Sequence, residues 1–83
     1  MKIRLKLYAS LRDLLPAGTS HEGVEFELPE DATPQQVMAQ YRVPPKMAHL
    51  VLRNGVFLNP EERERPVLQD GDVLAVWPPI AGG

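Results

Sequence analysis

The sequence predicts an α+β roll, a small mixed sheet covered by one short helix, and three observations carry that expectation. Residues 1 to 8 alternate, with Met1, Ile3, Leu5 and Leu7 on one face and Lys2, Arg4 and Lys6 on the other, which is the period of a half-buried strand. Thr33-Pro34-Gln35-Gln36 combines a Thr N-cap, Pro at the first helical position and Gln three residues after the cap, the signature of a helix start. Asn54-Gly55 tolerates positive φ at both central positions of a two-residue turn, so the flanking residues form a hairpin.

The remaining elements follow in order. Val24, Phe26 and Leu28 face inward and Glu25 and Glu27 outward in a second strand. Antiparallel pairing with the first strand would set Lys2, Arg4 and Lys6 against Glu25 and Glu27, each pair contributing a few tenths of a kcal/mol. The basic row therefore reads as structural before it reads as a docking site. Between the two strands, Ser10 is expected to cap a short turn that presents Leu11, Leu14 and Leu15, ahead of Pro16 and Gly18.

The helix that opens at Thr33 carries Val37, Met38 and Tyr41 on one face as core residues, and Pro44-Pro45 is expected to end it after little more than two turns. Residues 49–53 and 56–58 are the hairpin strands. Residues 59–69 form a polar connection in which Glu61, Glu62, Arg63, Glu64 and Arg65 read as a solvated surface with local ion pairs. Asp70-Gly71 is a turn, and Val73 to Trp77 is an apolar strand terminated by Pro78-Pro79. The first and last strands are both strongly apolar, which places them side by side and parallel at the sheet centre.

Length and composition narrow the function classes. The 83 residues, 43% of them apolar, make one domain with a thin core; at this size about 60% of the unfolded surface is buried, which argues against a deep enclosed cleft and a free-standing enzyme. Nine basic against eleven acidic residues leave a net charge of −2, so no field exists to hold a polyanion, and nucleic acid is not an expected partner. With no cysteine the chain has no disulfide, thiolate metal site or thiol nucleophile. His21 and His49 are too few and too far apart in sequence for a His-based metal site, and no metal is expected. The apolar runs are far below the roughly 20 residues needed to span a bilayer, and the start lacks a signal-peptide core; a cytoplasmic protein with no membrane partner is expected.

The chemistry points to the end of the chain, Trp77-Pro78-Pro79-Ile80-Ala81-Gly82-Gly83. Average glycine usage makes a terminal Gly-Gly pair a roughly 0.5% coincidence. A frayed end or a cloning scar is the plain alternative. Against it, Pro78-Pro79 favours an extended geometry directly after a strand, so residues 1–77 read as the folded domain and 78–83 as a projecting tail. Two glycines let a backbone enter a narrow channel, and the functional group that such a tail offers is the α-carboxylate of Gly83. That group is an anion at neutral pH and a poor electrophile. Adenylation by a partner would supply a leaving group, after which a sulfur or amine nucleophile could attack the carbonyl carbon.

With Ala9-Ser10-Leu11-Arg12 after the first strand, Val51-Leu52-Arg53-Asn54-Gly55 in the hairpin, Asp70-Gly71-Asp72-Val73 before the last strand and the Pro-Pro-Ile-Ala-Gly-Gly end, the chain resembles the MoaD/ThiS ubiquitin-like sulfur carriers over nearly its whole length. The resemblance implies a β-grasp fold, with four to five strands and one short helix. It also implies a carrier whose Gly83 is adenylated by an E1-like enzyme using ATP and Mg, converted to a thiocarboxylate, and used to deliver sulfur to the large subunit of a synthase. The ending looks most like the small subunit of molybdopterin synthase. Thiamine or tungsten-cofactor carriers, a ubiquitin-like modifier joined to lysines, and an interaction module with an inert tail remain alternatives.

Pairing across Asn54-Gly55 sets Leu52 opposite Phe57 and Val51 opposite Leu58, on opposite faces. In the arrangement that the resemblance implies, Val51, Leu58, Leu74 and Val76 face the helix and Leu50, Leu52, Phe57, Ala75 and Trp77 form an open apolar face. Such a face is expected to dock partners. Cover of Trp77 by a loop or the tail of the same chain is the alternative.

Overall fold

The computed structural model describes residues 1–79. Five strands, β1 (Lys2–Leu7), β2 (Val24–Glu27), β3 (Leu50–Arg53), β4 (Val56–Phe57) and β5 (Val73–Trp77), form one sheet in the order β2-β1-β5-β3-β4. The last strand fills the centre, parallel to β1 and antiparallel to β3. This is the arrangement expected from the two apolar runs, because a strand covered on both sides by neighbours rewards apolar residues most.

One helix, α1 (Pro34–Ala39), lies with the sheet's inner face. Ile3, Leu5, Leu7, Val51, Leu74 and Val76 from the strands share one buried cluster with Val37 and Met38 of α1 and with Leu11, Leu58 and Leu68 from the connections. Burying each of these larger side chains contributes about 1.5–3 kcal/mol. The helix starts as its sequence requires: the Gln36 N–H donates to Thr33 Oγ1 at 3.1 Å and the Thr33 N–H to Gln36 Oε1 at 2.9 Å.

Its end differs from expectation. The helix stops at Ala39, short of two turns and well before Pro44-Pro45. Arg42 turns left-handed at φ 58, the Arg42 N–H reaches the Ala39 carbonyl and the Val43 N–H reaches the Met38 carbonyl. This is a Schellman closure, which satisfies the last carbonyls and needs no proline. Tyr41, beyond the helix, is half-buried and meets Phe26 edge to face with centroids 5.6 Å apart.

The turn after β1 also departs from expectation. Ser10 does not cap it. Ala9 opens it at φ 52, the Leu11 N–H donates to the Tyr8 carbonyl, and Leu11 and Leu15 are buried while Leu14 stays 37% exposed. The hairpin turn is as expected, with Asn54 at φ 49 and Gly55 at φ 83, the type I′ signature.

Residues 59–69 are less idle than a solvated run. Glu61 and Arg65 do form a local i,i+4 pair. Arg63 instead donates from Nε to the Leu58 carbonyl, from Nη1 to the Ala48 carbonyl and from Nη2 to the His49 carbonyl, at 3.0, 2.8 and 3.3 Å. One guanidinium thus fastens the connection to the start of β3 and the end of β4, and its partial burial lowers its pKa while leaving it protonated. No helix among the described residues is long and apolar enough to cross a membrane.

Candidate docking face and tail root

The outer face of the sheet carries the side chains that the inner core cannot use. Leu50 faces Trp77 and Leu52 faces Ala75 across β3 and β5, and Leu52 faces Phe57 across β3 and β4. The five residues expected on the open face therefore form one contiguous strip. Phe57 is 51% and Leu50 36% exposed, while Leu52, Ala75 and Trp77 are half-buried. Val51, Leu58, Leu74 and Val76 are buried on the inner face, as the period-two alternation requires.

Two aromatic contacts organise the strip. Tyr8 stacks on Trp77 with centroids 4.2 Å apart and planes 3° from parallel. At the far end the Arg63 guanidinium lies over the Phe57 ring, 5.6 Å from its centroid, a cation–π contact. Neither Tyr8 nor Arg63 was expected in the site. Tyr8 was legible, since it continues the Lys2-Arg4-Lys6 alternation onto the outer face; Arg63 left no local signal, because its role comes from three carbonyls distant in sequence.

The basic row divides. Lys2 pairs with Glu27 and Arg4 with Glu25 in the strand register, and Arg4 Nη2 lies 3.2 Å from Glu25 Oε2. Neither Lys2 nor Lys6 forms an ion pair among the described residues, and Lys6, expected in the same ladder, lacks even a carboxylate opposite it. The register sets Leu5 against Val24, so the residue beyond, facing Lys6, is Gly23. A Cβ there would fall onto the Leu5 carbonyl, so this position is confined to glycine and cannot offer a carboxylate.

The tail leaves β5 at the sheet centre beside the Tyr8–Trp77 stack. A groove of about 410 Å³ opens there between Ala9-Ser10, His49-Leu50 and Trp77-Pro78-Pro79. Pro78 is buried and Pro79 exposed, so the first residue of the segment expected to project packs against the folded domain. Ile80, Ala81, Gly82 and Gly83 lie outside the described residues.

Asp72 holds the other end of β5. It is 6% exposed and accepts from Arg53 Nε at 2.7 Å, Asn54 Nδ2 at 2.9 Å and the Gln69 N–H at 2.8 Å. Burial alone would raise its pKa, but the three donors and the Arg53 charge outweigh that and hold the carboxyl below its ordinary value.

Comparison with known proteins agrees with this architecture. The chain is 31% identical over 87 residues to the molybdopterin synthase sulfur carrier subunit of Chlamydomonas reinhardtii, covering all of both. It is similar in structure to a candidate molybdopterin converting factor subunit 1 from Pyrococcus furiosus, with TM-score 0.66 and 26% identity over 96% of this chain and 99% of the other. SAMP1 from Haloferax volcanii shares the fold at TM-score 0.67 and 24% identity, with both chains fully covered. The ThiS family pattern matches residues 5–83, and with the five-stranded β-grasp sheet around a central β5, the chain belongs to the ThiS family of ubiquitin-like sulfur carriers, proteins that carry a group rather than catalyse its transfer.

Proposed function

We propose that this chain carries sulfur on Gly83 for the biosynthesis of a molybdopterin-type cofactor, in the cytoplasm. The family match that runs through residue 83 carries the reading, and the likeness to a molybdopterin synthase sulfur carrier subunit supports the pathway over thiamine or tungsten-cofactor alternatives. In the reaction, the Gly83 carboxylate attacks the α-phosphorus of ATP held with Mg by an E1-like enzyme, and pyrophosphate leaves. Hydrosulfide released by a donor then attacks the acyl-adenylate carbonyl, AMP leaves and a proton is lost, which gives the thiocarboxylate; because the chain has no cysteine, the sulfur comes from elsewhere. The thiocarboxylate is delivered to a synthase large subunit. This chain's own contribution is positional: Pro78 anchors the tail beside Trp77, Pro79 extends it, Ile80 and Ala81 lengthen it, and Gly82 and Gly83 pass through the partner's channel. The strip of Leu50, Leu52, Phe57, Ala75 and Trp77 docks the partner while the tail is engaged.

Intact mass after incubation with an E1-like enzyme, ATP and a sulfur donor tests the reading. Exchange of one oxygen for sulfur is the expected result, and an unchanged mass with an enzyme active on its own carrier overturns it. A modifier reading, favoured by the fold shared with the small archaeal modifier protein 1 of Haloferax volcanii, predicts larger adducts in which the same glycine is joined to lysine amines.

A further inference from the structure

Lys6 sits on the outer face with a neighbour of each kind. Across β5 it faces Ala75, in the middle of the apolar strip, and two residues along β1 lies Tyr8, stacked on Trp77. On its other side is Gly23, where no side chain fits. Lys2 and Arg4 have Glu27 and Glu25 opposite them, of which Arg4 and Glu25 close an ion pair, so an acidic residue faces each basic one up to Lys6 and none faces Lys6. Arg63, at the far flank, spends its donors on three carbonyls. Among the described residues neither Lys2 nor Lys6 forms an ion pair. Lys2, however, has the Glu27 carboxylate opposite it in register, whereas Lys6 stands between Gly23 and Ala75 with no acidic residue opposite it on either neighbouring strand.

A partner that covers Ala75 and Trp77 also covers Lys6. Removing water from an ammonium without supplying an anion costs several kcal/mol, so a binding surface that is apolar throughout would be rejected at this point. We propose that Lys6 is the charged anchor of the docking face, and that the adenylating partner presents a carboxylate to it beside an apolar surface that meets the strip. The proposal rests on the docking reading above and adds to it the chemistry of the partner surface. Lys6 then supplies orientation and a charge-paired share of the affinity, while the aromatic strip supplies the larger share.

The test is calorimetric titration of the full chain with a cognate E1-like adenylating enzyme, at low and at high salt. The variants are Lys6→Gln, Lys6→Glu, Phe57→Ala and Lys46→Gln, the last an exposed lysine off the sheet that makes the same change in net charge. Thermal melting checks that each is folded. Lys6→Glu should weaken binding by about tenfold or more. Lys6→Gln should weaken it less and flatten its salt dependence, and Lys46→Gln should stay within about twofold of wild type. If Phe57→Ala weakens binding while Lys6→Gln and Lys6→Glu behave like Lys46→Gln, the strip docks the partner and the anchor is refuted. If Phe57→Ala also leaves the affinity unchanged, the docking reading itself fails and the anchor with it.

Discussion

Asp72 accepts a hydrogen bond from Arg53 Nε at 2.7 Å, and this pair ties the residue before β5 to the last residue of β3. Asn54 completes the tie in both directions, donating from Nδ2 to Asp72 and accepting at Oδ1 from the Val73 N–H, each at 2.9 Å. The turn asparagine thus does more than tolerate positive φ: its amide locks the hairpin to the start of the central strand.

Asp72→Ala should therefore cost about 2–3 kcal/mol, because it strands the Gln69 N–H and half of the Asn54 amide as well as the ion pair. The carboxyl's pKa is depressed in the folded state, so its contribution is complete above the ordinary carboxylate value of roughly 3.9 and is lost as pH falls below that through the folded value. Urea melts across acid pH check this. Wild type should lose more stability over that window than Asp72→Asn, and parallel curves would refute the assignment.

Gly23→Ala should destabilise by roughly 2–4 kcal/mol. The residue is held at φ 81 and an added Cβ meets the backbone of Leu5 and Lys6, which cannot yield without parting β1 from β2. Gly18→Ala, at φ 85 but with open space around it, should cost less, near 1 kcal/mol; equal losses in urea melts would show that conformation, not close approach, dominates at Gly23.

Ala9→Gly should stabilise the fold by up to about 1 kcal/mol. Ala9 occupies the left-handed region at φ 52, which costs a residue with a Cβ about 1–2 kcal/mol, and glycine's greater freedom in the unfolded chain takes back part of the gain. A lowered melting temperature would indicate that the Ala9 methyl packs usefully at the tail-root groove.

Phe57→Ala and Trp77→Ala should each weaken binding to the adenylating enzyme or the synthase by more than about 1 kcal/mol, but they should separate in stability. Phe57 is half exposed and its loss should be mild. Trp77 is stacked on Tyr8, and truncating it should cost about 1–2 kcal/mol of fold stability beyond its effect on binding. Paired titrations and urea melts distinguish these, and unchanged affinity with a large stability loss would assign both rings to the fold.

Deleting Gly83, or replacing Gly82 with Val, should abolish ATP–pyrophosphate exchange with a cognate enzyme and leave the melting temperature within about 2 °C. An uncleaved C-terminal extension should do the same by turning the carboxylate into an amide. Exchange at the wild-type rate in the deletion variant would remove Gly83 from the chemistry.

Much of the fold was legible because its signals are local. The alternation of Ile3, Leu5 and Leu7, the Thr33-Gln36 capping box and the Asn54-Gly55 turn each depend on neighbours within a few residues, and the structure has all three. Alternation set Leu52 with Phe57 and Ala75 with Trp77, and the β-grasp arrangement implied by the resemblance joined the two pairs on one face, where the register has them. What failed was local in another way: a helix end has several competing closures, and the left-handed turn at Arg42 acted before Pro44 could.

The sequence by itself determined the strands, their inner faces and the tail's composition, since backbone conformation and period-two burial are properties of short segments. Only the tertiary structure decided that Arg63 grips three carbonyls, that Tyr8 covers Trp77, that Pro78 is buried, and that Lys6 stands without the partner that Arg4 has. Each depends on where chain segments distant in sequence come to lie, and in the last case on a single register in which Gly23, pressed against Leu5, leaves no room for a side chain.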